Sequence, residues 1–269
     1  MSGASLHYGA MPLFNMGSGY EGLSRIYSGG WFYSISAQYI GEILLPGVIS
    51  RRVMVLMILS VVAFIVSAIA GSQSPEDLKA SLYRAFEDRV REIEGIINSS
   101  RGSPIQLAVL PLLIFGNNLL VSLVMLALFP TIIGPWIFIS YQGFVTGAVV
   151  GYGGVDEGIR EIASLIPGCR IDQGFIPIAK LVLILPHGVF EIPGVGVFVA
   201  SSTRLSIALI GYILWRLGKR PSSPIFLDSV REILMPLLIG VLLLIVAAFI
   251  ESFVTPVIGF IVIGALCTR

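Results

Sequence analysis

LPHGVFEIP, residues 185–193, sets a histidine, a glutamate and two prolines inside an otherwise apolar run. The run extends from residue 175 to 217, and Pro186, Gly188 and Pro193, then the polar SSTR at 201–204, cut it into apolar pieces of about thirteen residues. At ~1.5 Å per residue no such piece crosses a hydrocarbon core of ~30 Å alone. The pattern predicts a broken or re-entrant arrangement, in which 175–200 dips in and returns on one side. The following helix then ends with Arg216, Lys219 and Arg220 in the cytoplasm. A proline removes a backbone donor, and a carboxylate, an imidazole and nearby asparagines are groups that can satisfy the backbone freed by such a break.

The rest of the chain fits a lipid environment. Of 269 residues, 55% are hydrophobic and only 12% charged, and the mean hydropathy is +0.91, the composition of an integral membrane protein. Seventeen Lys and Arg against sixteen Asp and Glu leave no basic field to attract nucleic acid. Cys169 and Cys267 match no thiol-metal spacing and need not meet in space, so no disulfide framework is expected. The first fifty residues lack a signal-peptide core, so the first span is expected to direct its own insertion.

That first span is VMVLMILSVVAFIVSAIA, residues 53–70, preceded by Arg51 and Arg52, which places the N-terminus in the cytoplasm by the positive-inside rule. Ahead of it, Tyr20, Tyr27, Trp31, Phe32, Tyr33 and Tyr39 suggest an N-terminal arm over 1–52 lying on the membrane interface. Residues 74–98 read as an amphipathic helix outside the bilayer, with Ser74 as N-cap, Pro75 in the first turn and Glu76 and Asp77 near the positive dipole end. Leu78, Leu82, Phe86, Val90, Ile93 and Ile97 recur at helical spacing, and Arg84 with Asp88 and Glu87 with Arg91 form i,i+4 pairs. Its apolar face can pack on the protein's own membrane domain, or receive a partner over 75–97.

A second span, 105–129, carries Pro111, Asn117 and Asn118, and a third carries Gly143, Gly147 and Gly151 at four-residue intervals, a stripe for close helix approach. Spacing alone leaves open whether its partner helix belongs to the same chain. The acidic loop 152–174 suits the outer side, and 232–268 reads as a span interrupted at FIESFVTP and followed by a short apolar return. The expected fold is all-α: a polytopic helical membrane domain over 53–269 with about five to six membrane segments, some broken or re-entrant.

Glu191, Arg204 and Glu251 are charged residues well inside apolar sequence, with Lys180 nearer an end. At ~2.5–3.5 kcal/mol each at a bilayer centre, they are expected to face inward and find partners, Arg204 with Glu191 or Glu251 first. His187 and Glu191 share a helix face at a spacing metals can use. HExxH is absent, and His7 and His187 are the only histidines, so neither a metal nor another cofactor is expected. A proton relay through His187, Glu191 and Glu251 is the chemical alternative to a purely structural cluster.

IFGNN at 114–118, LPHGVFEIP at 185–193, SSTRLS at 201–206 and AAFIESFVTP at 247–256 together resemble, in order, the motifs of the stage II sporulation protein M family. The resemblance covers roughly residues 53–269 and carries over Asn117, Asn118, Pro186, His187, Gly188, Glu191, Arg204 and Glu251. Where relatives often have Asn-Gly in the third span, this chain has Gln142-Gly143, so the amide reaches one methylene further. The resemblance implies an integral membrane protein without established enzymatic activity. The name-giving member is a scaffold that recruits peptidoglycan-degrading enzymes during engulfment of the forespore. The first expectation is therefore a non-enzymatic plasma-membrane scaffold that dimerises through the glycine stripe and recruits a protein partner at 75–97. The alternative is a small-solute or ion transporter built on the interrupted segments at 185–193 and 249–256.

Overall fold

The computed structural model describes residues 50–99, 106–219 and 226–268. The interfacial arm expected over 1–52, with His7 and the aromatic residues, lies almost wholly outside the described residues. The chain folds into helices α1 (Arg51–Ser72), α2 (Glu76–Ser99), α3 (Gln106–Ala127), α4 (Gly134–Gly151), α5 (Gly153–Ser164), α6 (Ile176–Arg216), α7 (Phe226–Phe249) and α8 (Thr255–Leu266). A π-helical turn, Ile250–Val254, joins α7 to α8. Among the described residues, four stretches, 51–72, 107–131, 173–216 and 228–266, are long and apolar enough to cross a membrane.

The glycine stripe is used within the chain. A Cβ on Gly143 would strike the backbone of Phe64, one on Gly147 that of Ala68, and one on Gly151 would meet Ser72, while Gly71 faces Phe144 and Ala148. Both numberings rise together, so α1 and α4 run parallel with their backbones in contact. The dimer expected on this stripe has no surface left there, because α1 already fills it.

Residues 176–216 form one continuous helix of 41 residues, roughly 60 Å long, which overturns the re-entrant expectation. Each proline deletes one intrahelical bond, but close packing on both sides keeps the axis running. Gly194 lies against Gly240 and Leu244 of α7, and Gly196 against Ser60 and Met57 of α1. The Ser60 hydroxyl donates to the carbonyls of Met57 (2.7 Å) and Gly196 (3.4 Å). The predicted breaker Gly188 has only ordinary contacts near its missing Cβ. Nor does the chain turn back after residue 250. α7, the π turn and α8 continue as one column antiparallel to α6, with Glu232 beside Arg204, Gly240 beside Phe198 and Gly259 beside Leu183.

The main core joins Met125 of α3, Ile139 of α4, Val195, Phe198 and Val199 of α6 and Leu244 of α7. Polar bonds lock its edge: Trp136 Nε1 donates to Thr203 Oγ1 at 3.0 Å, and Ser202 to the Leu126 carbonyl at 3.3 Å. A smaller core packs Ile159 and Ala163 of α5, Ile176 and Ala179 of α6 and Ile263 of α8. Beside it, Arg170–Ile171 pairs antiparallel with Cys267–Thr268, and Cys169 and Cys267 are joined by a disulfide. This corrects the expectation of no disulfide. The bridge closes a separation of 98 residues, for which chain-entropy arguments give about 4.7 kcal/mol, against about 2–4 kcal/mol typical of disulfides. Cys267→Ser is therefore expected to lower the melting temperature under non-reducing conditions, to the value the wild type shows in reductant.

Helix α2 packs part of its apolar face on the membrane domain and leaves Leu78, Phe86 and Ile96 exposed. Tyr83 stacks obliquely on Tyr152 with ring centroids 4.9 Å apart, and Ile93 and Ile96 border a groove with Leu112, Gly116 and Leu120 of α3. The predicted pair Glu87–Arg91 forms at 3.2 Å. Arg84 instead turns its Nε to the Ala80 carbonyl at 3.3 Å, and the Ser74 hydroxyl donates back to Gly71 rather than capping α2.

Candidate functional site: a polar chamber between the helices

Asn117 and Asn118 of α3, Gln142 and Thr146 of α4, and His187 and Glu191 of α6 line a single cavity of about 310 Å³. Phe64 of α1 and Phe86 of α2 add apolar wall, so the amphipathic helix borders the chamber. On α3, Asn117 Nδ2 donates to Asn118 Oδ1 at 3.3 Å, and buried Ser122 donates to the Asn118 carbonyl at 2.8 Å. The residue substituted relative to the family pattern, Gln142, keeps its amide on this wall.

His187 and Glu191 stand one turn apart on α6, so both project to the same side. Glu251 reaches them from the π turn. One ligand-capable atom from each of the three side chains lies within 4.8 Å of the others, and all three residues are half-buried. His187 Nδ1 is buried without a hydrogen-bond partner. The π turn is the local reason Glu251 is there: widening one helical turn changes the angle at which its side chain leaves the column. Such a triad can hold a cation, or pass a proton between an imidazole and two carboxylates.

Six of the seven residues expected in the polar cluster thus gather here, and Arg204 does not. It lies thirteen residues beyond Glu191 on an unbroken helix, about 20 Å away along the axis. There Arg204 Nη2 binds Glu232 Oε2 of α7 at 2.5 Å, and Arg51, Arg52, Val55, Leu56 and Ile207 complete a shallow pocket around it. Glu232 escaped sequence reasoning because SVREIL reads as the polar lead-in to a span; only the α6–α7 hairpin reveals its partner. Lys180 is likewise neutralised at a distance in sequence, by the Asp156 carboxylate and the Val150 carbonyl at 2.8 Å.

Long apolar helices, carboxylates within them and a cavity carrying polar side chains define a predominantly helical membrane protein. The chain matches the stage II sporulation protein M family over residues 53–256, and it belongs to that family. An uncharacterized protein of Methanocaldococcus jannaschii is 27% identical over 145 residues, 53% of this chain and 69% of that protein. No solved structure matches the chain.

Proposed function

We propose that the chain is a carrier of small ions or polar solutes, with the chamber between α3, α4 and α6 as its binding site. The observation that supports this is the convergence of amides, an imidazole and the Glu191 carboxylate from separate helices around a cavity, next to a helix irregularity that presents a further carboxylate, Glu251. Polar groups used only to satisfy a broken helix would not need a chamber, and α6 is not broken. The intramembrane carboxylates are costly in lipid and are expected where a polar species is handled.

The membrane arrangement follows from charge. Arg51 and Arg52 begin α1 and Arg216 ends α6 on the same side, whereas Asp156, Glu157, Glu161 and the Cys169–Cys267 disulfide gather at the opposite end. The basic end is cytoplasmic and the disulfide end outward in a cell membrane. α1, α3, α4, α6 and the α7–α8 column each cross once.

Reconstituted vesicles test the carrier. Wild-type proteoliposomes are expected to dissipate a proton, cation or anion gradient, and Glu191→Gln to slow that flux at least tenfold. Vesicles as tight as protein-free controls under all three gradients refute it. A scaffold is then the reading left, favoured by Leu78 and Ile96 of α2, which remain 41% and 42% exposed. A partner captured from native membranes and lost in Leu78→Glu or Ile96→Glu would support it, and any self-association would use a surface other than the glycine stripe.

A further inference from the structure

We propose that His187, Glu191 and Glu251 form a binding site for a divalent transition-metal cation of the zinc, manganese, iron(II) or cobalt type. This deepens the carrier reading and rests on it for biological purpose, but the chemistry stands on the triad itself. One nitrogen and two carboxylate oxygens, drawn from two helices, lie within 4.8 Å of one another. A tetrahedral ion with bonds of ~2.0–2.1 Å separates its ligands by roughly 3.3 Å. The set is thus at most about 1.5 Å too open at its widest pair, a gap on the scale of side-chain adjustment.

Three independent features favour a metal over a shared proton. A proton between the two carboxylates would relieve their repulsion yet leave the imidazole out, whereas a cation can engage one atom of each group at once; His187 Nδ1 is moreover buried without a hydrogen-bond partner. Two carboxylates and a neutral imidazole balance a divalent charge within a low-dielectric bundle. The π turn at Ile250–Val254 brings Glu251 into the set, a backbone irregularity often found at functional sites.

Ligand type narrows the metal. Calcium takes six to eight oxygens and magnesium near-octahedral oxygen, and the triad offers too few. Mixed imidazole and carboxylate donors suit borderline ions. His187 and Glu191 also line the chamber, with Asn118 and Gln142 on its wall, so amides stand in the surroundings where outer hydrogen bonds tune a metal site.

The test is equilibrium dialysis of Co²⁺ against the detergent-purified full chain with any polyhistidine tag removed. One saturable equivalent per chain is expected, with affinity falling at least a hundredfold in Glu191→Gln, Glu251→Gln and His187→Asn. Glu94→Gln, exposed on α2 and outside both triad and chamber, should bind as wild type. Should the triad variants fail to fold, X-ray absorption of Zn²⁺ bound to wild type decides: one imidazole with oxygen ligands upholds the site, and a shell without imidazole overturns it. Absence of saturable binding to monodisperse wild type, or binding that survives all three substitutions, also overturns it. Because this assay needs no flux, the two readings fail separately. Metal binding in flux-inert vesicles removes the carrier and leaves the site, whereas proton flux without metal binding does the opposite.

Discussion

Gly147→Leu is expected to abolish recovery of folded protein, with no monodisperse peak on detergent size exclusion. The Cβ alone would overlap the Ala68 carbonyl of α1, and the obstacle is backbone, which has no rotamer to move to. Overpacking a core with extra methylenes usually costs about 1–3 kcal/mol when side chains can shift. Here whole helices must separate, and with them the Gly71–Phe144 and Gly143–Phe64 contacts of the same crossing, so the loss lies at or above that range. A graded series adds a sharper check. Alanine at Gly151, where a Cβ would stand 3.0 Å from Ser72 Cα, should lower the melting temperature least, and alanine at Gly143 or Gly147 more. If the stripe instead joined two copies of the chain, Gly147→Leu would leave a folded monomer. Size exclusion separates these outcomes directly.

The contrast between stripe and partner shows where legibility in the sequence ends. Gly143, Gly147 and Gly151 announce a close helix contact because their four-residue spacing is a local property. The identity of α1 as the other helix depends on tertiary arrangement. The same division runs through the chamber. His187 with Glu191 is readable from one helix turn, and Asn117 with Asn118 from a polar pair in a span, but their meeting with Gln142 and Glu251 requires the packing of α3, α4, α6 and the π turn. Pro186 and Pro193 misled for a different reason. Their local cost is real, yet it is offset by lateral packing through Gly194 and Gly196 on α7 and α1, which no window of sequence contains. Cys169 and Cys267 are 98 residues apart and meet only because the α7–α8 column runs back alongside α6 instead of folding over.

Arg204 and Glu232 yield the other large effect, and its asymmetry follows from burial. Their side chains are 13% and 30% exposed, and Arg204 Nε is already buried without an acceptor. Removing Glu232 with Glu232→Leu strands a permanently charged guanidinium beside Arg51, Arg52, Val55 and Leu56, where uncompensated charge costs on the order of 3–5 kcal/mol. Arg204→Met does less harm, because the more exposed Glu232 carboxylate keeps Ser50 and Arg52 as neighbours. The double variant Arg204→Met/Glu232→Leu removes both charges and should melt above the Glu232→Leu single, since a buried pair replaced by apolar side chains of similar size is often neutral. Melting of the four proteins in one detergent completes the cycle. Additive losses would mean the two side chains do not share an ion pair in the membrane. A larger loss in Arg204→Met than in Glu232→Leu would mean that the carboxylate, not the guanidinium, is the group the bundle cannot hold alone.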